Sequence, residues 1–297
     1  MTNKMFFYGI KIINAKKVLT TNKPIFAIKT LRGFYHIEIG GRTEINLQVS
    51  LIVRNLEKTK IHDISIQFLG IREDYHQKIL EINSNMDLNT IHDEHGNTFH
   101  EVLVPFIKPK QELCITINYR LKVQPILFKP PYYYPELKNF VEEQPFQRKS
   151  HELFSLANKL KSNDLYVTMK NIVNFVISNI TYERNYRRIG AINTLERKRG
   201  SCLGFSDLVV TLLRCVNIPA RVVRGLYMTE PHAWVEAYVK PYGWIPIDPV
   251  AGIIGAIGVP WISYYAEKIT TYKNFYIKMG NKIHHRKLIV KWSLNLI

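Results

Sequence analysis

Apolar and polar residues alternate from Ile45 to Leu51, and Ile45, Leu47, Val49, Leu51 and Val53 fall on one side. A period of two is that of a strand with one face in a core and the other in water. Ile64, Ile66 and Phe68 repeat the pattern. Leu113, Ile115, Ile117, Tyr119, Leu121 and Val123 extend it over eleven residues and leave Cys114 on the opposite face. The turn-rich segment His92-Asp93-Glu94-His95-Gly96-Asn97 precedes another strand through Val102, Leu103 and Val104.

Several short strands with no helical period predict an antiparallel β-sandwich of the immunoglobulin or fibronectin kind over residues 1–125. Pro125, Pro130, Pro131, Pro135 and Pro145, interleaved with Tyr132-Tyr133-Tyr134, then mark a stiff connector over 126–147. Beyond it the period changes. Leu153, Leu156, Ala157 and Leu160 sit at helical spacing. A second helix carries Leu165, Met169, Ile172, Val173, Val176 and Ile180 on one stripe, with Ser162 or Asn163 as its cap. A third runs from Cys202 to Val216, burying Phe205, Leu208, Val209, Leu212, Leu213 and Val216, and Asn217-Ile218-Pro219 stops it. Strands are expected at 221–228, 232–239 and 244–247, and β-structure again near Phe275-Tyr276-Ile277 and Leu288-Ile289-Val290. Helices followed by strands make residues 148–297 an α+β domain.

Composition narrows this picture. The 297 residues are 46% hydrophobic and 22% charged, as in a folded protein. Three cysteines without a CxxC pair exclude a disulfide scaffold and a zinc ribbon, and they fit a reducing compartment such as the cytoplasm. The His-rich turn matches no ligand spacing, so no metal is expected there. Lys and Arg total 41 against 24 acids, a net charge of +17, which favours anionic partners without choosing among them. Nucleic acid is the weaker of these readings; its one local signal is the basic stretch Lys268–Lys291 with Tyr272, Phe275 and Tyr276 interleaved. The uncharged run Pro249–Ala266 reaches membrane-spanning length, but its prolines and glycines predict a buried loop.

The chemistry concentrates in forty-seven residues. Cys202 starts an amphipathic helix just after Gly200. His232 opens the strand His-Ala-Trp-Val-Glu-Ala-Tyr, and Asp248 ends the strand Gly-Trp-Ile-Pro-Ile-Asp-Pro. A thiolate is the nucleophile, and helix N-terminal N–H groups together with an imidazolium stabilise it. The histidine must then protonate a leaving amine, and a carboxylate behind it fixes its orientation. A tight hairpin through Lys240-Pro241-Tyr242-Gly243 would bring His232 beside Asp248.

These segments resemble the transglutaminase-like superfamily. The resemblance lies in Thr194-Leu195-Glu196-Arg197-Lys198-Arg199-Gly200-Ser201-Cys202, in Ile218-Pro219-Ala220-Arg221, in His-Ala-Trp at 232–234 and in Gly-Trp-Ile-Pro-Ile-Asp-Pro at 243–249. The order Cys, His, Asp with gaps of 30 and 16 residues agrees with it. It implies that Cys202 is the nucleophile, His232 the acid–base and Asp248 its orienter, acting on amide or peptide bonds through a thioester. It also implies a protein or peptide substrate and no cofactor. A thiol hydrolase is the favoured reading. A protein cross-linker, and an inactive fold that serves as a binding module, are the alternatives. Two departures stand out: Val250 where the family usually has threonine, and Leu203-Gly204 after the cysteine.

Around the triad, Tyr182 is expected to line the oxyanion site and Trp234 to flank a substrate groove, with Trp244 as its companion. Glu236 reads as a structural polar residue, and Cys114 and Cys215 as structural thiols. Arg184, Arg187, Arg188, Arg197, Lys198 and Arg199 read as a solvated basic loop beside the nucleophile.

Overall fold

The computed structural model describes residues 6–7, 10–11, 25–29, 35–39, 43–74, 76–93, 96–124, 137–184, 187–227, 230–240, 242–255, 261–266, 275–279, 282–283 and 288–296. Most of the connector's prolines and its tyrosine run lie outside them, as does His95.

Two short antiparallel pairs come first, β1 (Phe6–Phe7) with β2 (Ile10–Lys11) and β3 (Ile25–Lys29) with β4 (Tyr35–Ile39). Six strands follow: β5 (Thr43–Asn55), β6 (Ile61–Leu69), β7 (Gln77–Ser84), β8 (Asn89–His92), β9 (Thr98–Ile107) and β10 (Glu112–Val123). One 3-10 turn (Leu137–Phe140) leads into α1 (His151–Leu160) and α2 (Leu165–Asn179). Next are β11 (Thr181–Tyr182), α3 (Gly190–Arg197), β12 (Arg199–Gly200) and α4 (Cys202–Cys215). The chain ends in strands: β13 (Ala220–Tyr227), β14 (Glu230–Val239), β15 (Gly243–Asp248), β16 (Ile253–Ile254), β17 (Trp261–Ala266), β18 (Phe275–Met279), β19 (Lys282–Ile283) and β20 (Leu288–Leu296).

Two antiparallel sheets, in the orders β20-β5-β10-β7 and β19-β18-β6-β9-β8, share one core. Leu47, Leu51, Ile117 and Leu121 from the first sheet meet Ile64, Ile66, Phe68 and Val102 from the second. Each such side chain contributes about 1.5–3 kcal/mol by leaving water. These are the residues whose period of two was legible in the sequence. The closing strands were not placed this way, however. β18 pairs with β6 and β20 with β5, so the C-terminal strands belong to the N-terminal layer and not to the unit expected over 148–297.

The second core surrounds α4, which packs on the sheet β16-β15-β14-β13-β17 with α1, α2 and α3 against it. Helix α4 is buried on all sides from Gly204 to Cys215, hence its near-continuous apolar sequence. The expected cap of α2 shifts by one or two residues. Asp164 caps it, its carboxylate accepting from Val167 N–H at 2.8 Å, while Ser162 Oγ accepts from Asp164 N–H. The run from Pro249 to Ala266 contributes β16 and β17, and no helix among the described residues is long and apolar enough to cross a membrane.

Candidate active site

The approach to α4 sets the place of Cys202. β12 pairs in parallel with β11, and Glu183 N–H donates to Gly200 O at 3.0 Å, so the chain arrives at the helix extended. N-cap Ser201 keeps extended dihedrals (φ −80°, ψ −177°) and makes no side-chain cap bond. The first-turn N–H groups are thus left unoccupied by the cap, at the positive end of the helix. Gly204 explains one departure from the family pattern. A Cβ there would stand 2.8 Å from Thr194 Oγ1, so its absence lets α3 lie against the start of α4.

The hairpin of β14 and β15 closes at Val239↔Gly243, and its other end carries His232 and Asp248. His232 Nε2–H donates to Asp248 Oδ2 at 3.1 Å, with side chains only 14% and 5% exposed. Asp248 is fixed by its own turn: Oδ1 accepts from Val250 N–H at 2.9 Å and Ala251 N–H at 3.3 Å. Because the Val250 contact is made by backbone, valine serves where the family usually has threonine. The Cys202 side chain lies within hydrogen-bonding reach of the His232 imidazole.

Electrostatics follow from this geometry. Burial alone would lower the His232 pKa, but the Asp248 carboxylate and its hydrogen bond outweigh that cost, and Cys202 adds to them, raising it to about 10. Burial alone would raise the Asp248 pKa. The His232 imidazolium, then the N–H groups of Ala251 and Val250, hold it below the ordinary carboxylate range instead.

Tyr182 stands opposite Gly200 in the β11–β12 pair, 45% exposed, its ring edge-on to Phe205 with centroids 6.0 Å apart. Trp234 differs from its expectation. It is 1% exposed, so it flanks no open groove; its ring stacks on His232 at 6.4 Å and 24°. The reason is that both faces of β14 are covered. On the Trp234 side, Phe140 packs edge-on to Trp244 at 4.9 Å, and the Arg221 guanidinium lies 4.2 Å over Trp244. Trp244 is therefore core as well. Glu236 is structural, accepting from Arg221 Nε at 2.9 Å and Nη2 at 2.6 Å. Cys215 is buried, which pushes its thiol pKa up, and Cys114 is exposed.

The basic loop is not uniformly solvated. Arg188 is 9% exposed and grips the fully buried Asp207 of α4 through Nε at 2.8 Å and through Nη2; Gln147 donates to the same carboxylate. An aspartate amid Phe205, Leu208 and Val209 was the available signal for this anchor. Arg184, by contrast, pairs with Glu230 at 2.5 Å on the surface.

The α+β domain thus places a half-buried cysteine at a helix start beside a His–Asp pair on a sheet. Residues 155–249 match the family model of the transglutaminase-like superfamily, so this segment of the chain is similar to that family. The uncharacterized protein YebA of Bacillus subtilis strain 168 is 28% identical over 116 residues, 33% of this chain and 16% of that protein. The chain therefore spans a small part of that relative's length. The crystal structure of a candidate cysteine protease from Cytophaga hutchinsonii shares the fold with a TM-score of 0.59 at 15% identity, covering 86% of this chain and 93% of that one.

Proposed function

We propose that this protein is a cysteine-type hydrolase of amide or peptide bonds. The observation that carries the reading is the series Cys202, His232, Asp248 at the N-terminus of α4, each side chain within hydrogen-bonding reach of the next. Cys202 Sγ attacks the substrate carbonyl carbon, and the C–S bond forms as the carbonyl electrons move onto oxygen. The N–H groups of the first turn of α4 stabilise that oxyanion, with Tyr182 at its side. His232 then gives its proton to the leaving nitrogen, and the C–N bond breaks to leave a thioester. Water attacks the thioester, His232 takes its proton, and the C–S bond breaks to release the acid. Asp248 remains ionised throughout and keeps the imidazole turned towards the thiol.

A peptide library with mass-spectrometric product analysis, run with and without a primary amine, tests this. Wild type is expected to give free acids in preference to amine adducts, and Cys202→Ala to lower turnover by at least about 1000-fold. Amine adducts in excess would make the protein a cross-linker. Turnover that survives Cys202→Ala would remove the triad from the chemistry altogether.

A further inference from the structure

Gln77 opens β7, at the edge of the four-stranded sheet, and Ser263 lies in β17, at the edge of the sheet that carries the site. Ser263 N–H donates to Gln77 Oε1 at 2.9 Å, and Gln77 Nε2 donates back to Ser263 O. A carboxamide presents a donor and an acceptor as a peptide unit does, so Gln77 stands in for a neighbouring strand at this one residue. Nε2 also donates to Arg72 O at 2.5 Å. Beside it, Ser263 Oγ donates to Asp74 Oδ2 at 3.0 Å. The same carboxylate accepts from His76 N–H at 2.7 Å and Gln77 N–H at 3.1 Å, and it pairs with Arg72 at 3.4 Å. Gln77, Ser263 and Arg72 are each at most 2% exposed.

The register carries this contact to the reacting pair. Ser263 is opposite Gly225, and Gly225 is opposite His232, so the three form one row across β17, β13 and β14. Successive strands in such a row are about 4.8 Å apart. The β13–β17 ladder shifts register between Arg224 and Gly225, at this row, where main-chain pairing alone locates the strands least well. One residue on, Leu226 is buried in the core of the two-sheet layer.

We propose that Gln77 is a positioning residue for His232: the N-terminal two-sheet layer holds the row that ends at the imidazole, and so completes the active site. The inference rests on the reading of Cys202 and His232 as the reacting pair. A free thiol reacts through its thiolate, and in acid an adjacent imidazolium is what sustains that form. The test is therefore the rate of Cys202 alkylation between about pH 5 and 9, read by mass spectrometry with Cys114 as internal reference.

Wild-type Cys202 is expected to outrun Cys114 at pH 5.5. Gln77→Met keeps the length of the side chain and removes its hydrogen bonds to Ser263 and Arg72. It is expected to slow Cys202 on the order of 10- to 100-fold at that pH and to move the profile to higher pH. Ile117→Ala, which opens a cavity in the same layer away from the row, is expected to lower Tm and keep the wild-type profile. A wild-type profile in folded Gln77→Met overturns the proposal, and so does an equal shift in Ile117→Ala. Should Gln77→Met fail to fold, Gln77→Asn, which draws the carboxamide back by one methylene from the Ser263 main chain, must still slow Cys202 severalfold; an unchanged rate there overturns it too. If wild-type Cys202 is no faster than Cys114, the hydrolase reading itself falls, and the positioning role with it.

Discussion

His232 and Asp248 shift one another's titration in opposite directions, and the two shifts bound the pH range in which the pair supports the fold. Asp248 is held below the ordinary carboxylate range, so its contribution is present above about pH 4 and is lost as acid takes the pH down through its folded value. His232 is raised to about 10. Its contribution is complete below its ordinary value of 6.5 and is lost as the pH climbs from there through 10. Wild-type Tm minus Asp248→Asn Tm is therefore expected to be largest between about pH 4 and 6.5 and to shrink on both sides. Differential scanning fluorimetry in half-unit steps reads this directly, and a difference independent of pH would mean that the pair is not ionised in the fold. The three residues of this site were legible in the sequence because each sits in a distinctive local word: Gly-Ser-Cys, His-Ala-Trp, Ile-Asp-Pro. Their supports were not. Gln77 and Ser263 are 186 residues apart, and neither residue type announces a partner. Trp234 was misread for a related reason, since alternation along β14 shows two faces but not that both are covered.

At the scale of elements, α4 is held by contacts that its apolar stripe does not encode. Its long stripe was read correctly, whereas α3 left little trace, because its inner face is Gly190, Ala191 and Thr194. Thr194 Oγ1 donates to Gly190 O at 2.7 Å, and its side chain fills the space that the missing Cβ of Gly204 leaves. Gly204→Ala should force α3 away from α4 and cost about 1–3 kcal/mol, since the nearest atoms belong to a short, fixed side chain. In a chain of this size that lowers Tm by roughly 2–4 °C per kcal/mol, measurable by calorimetry. The Arg188–Asp207 pair predicts a larger effect. Asp207→Ala leaves a guanidinium buried without its carboxylate and is expected to cost about 3–5 kcal/mol. The double substitution Asp207→Leu with Arg188→Met removes both charges and should recover much of that loss in urea unfolding. If the single and double variants are equally unstable, the pair anchors the loop by shape and not by charge.

Over the whole molecule, the chain leaves the two-sheet layer at Val123, builds the α4 domain and returns at Phe275. This return escaped the sequence because β18 and β20 look like any half-buried strands, and pairing with β6 and β5 is decided by distant edges. It has a consequence for how the protein can be divided. A proline-rich connector invites a cut between residues 125 and 136, but the C-terminal piece would then carry β18 and β20 without their partners. β20 meets β5 along nine residues, Leu288↔Asn55 through Leu296↔Leu47, and in its absence β5 presents an open edge to other chains. Residues 137–297 expressed alone are thus expected to aggregate, as is the fragment 1–136. Co-expressed, the two should associate into a soluble complex, because β18–β6 and β20–β5 pairing, Leu226 and the Gln77–Ser263 bonds all cross the cut. Size-exclusion chromatography of the co-expressed pair decides the matter. Two independently soluble, non-associating fragments would show that each unit folds without the other, and a divided chain would then keep Cys202 reactivity on the C-terminal piece alone.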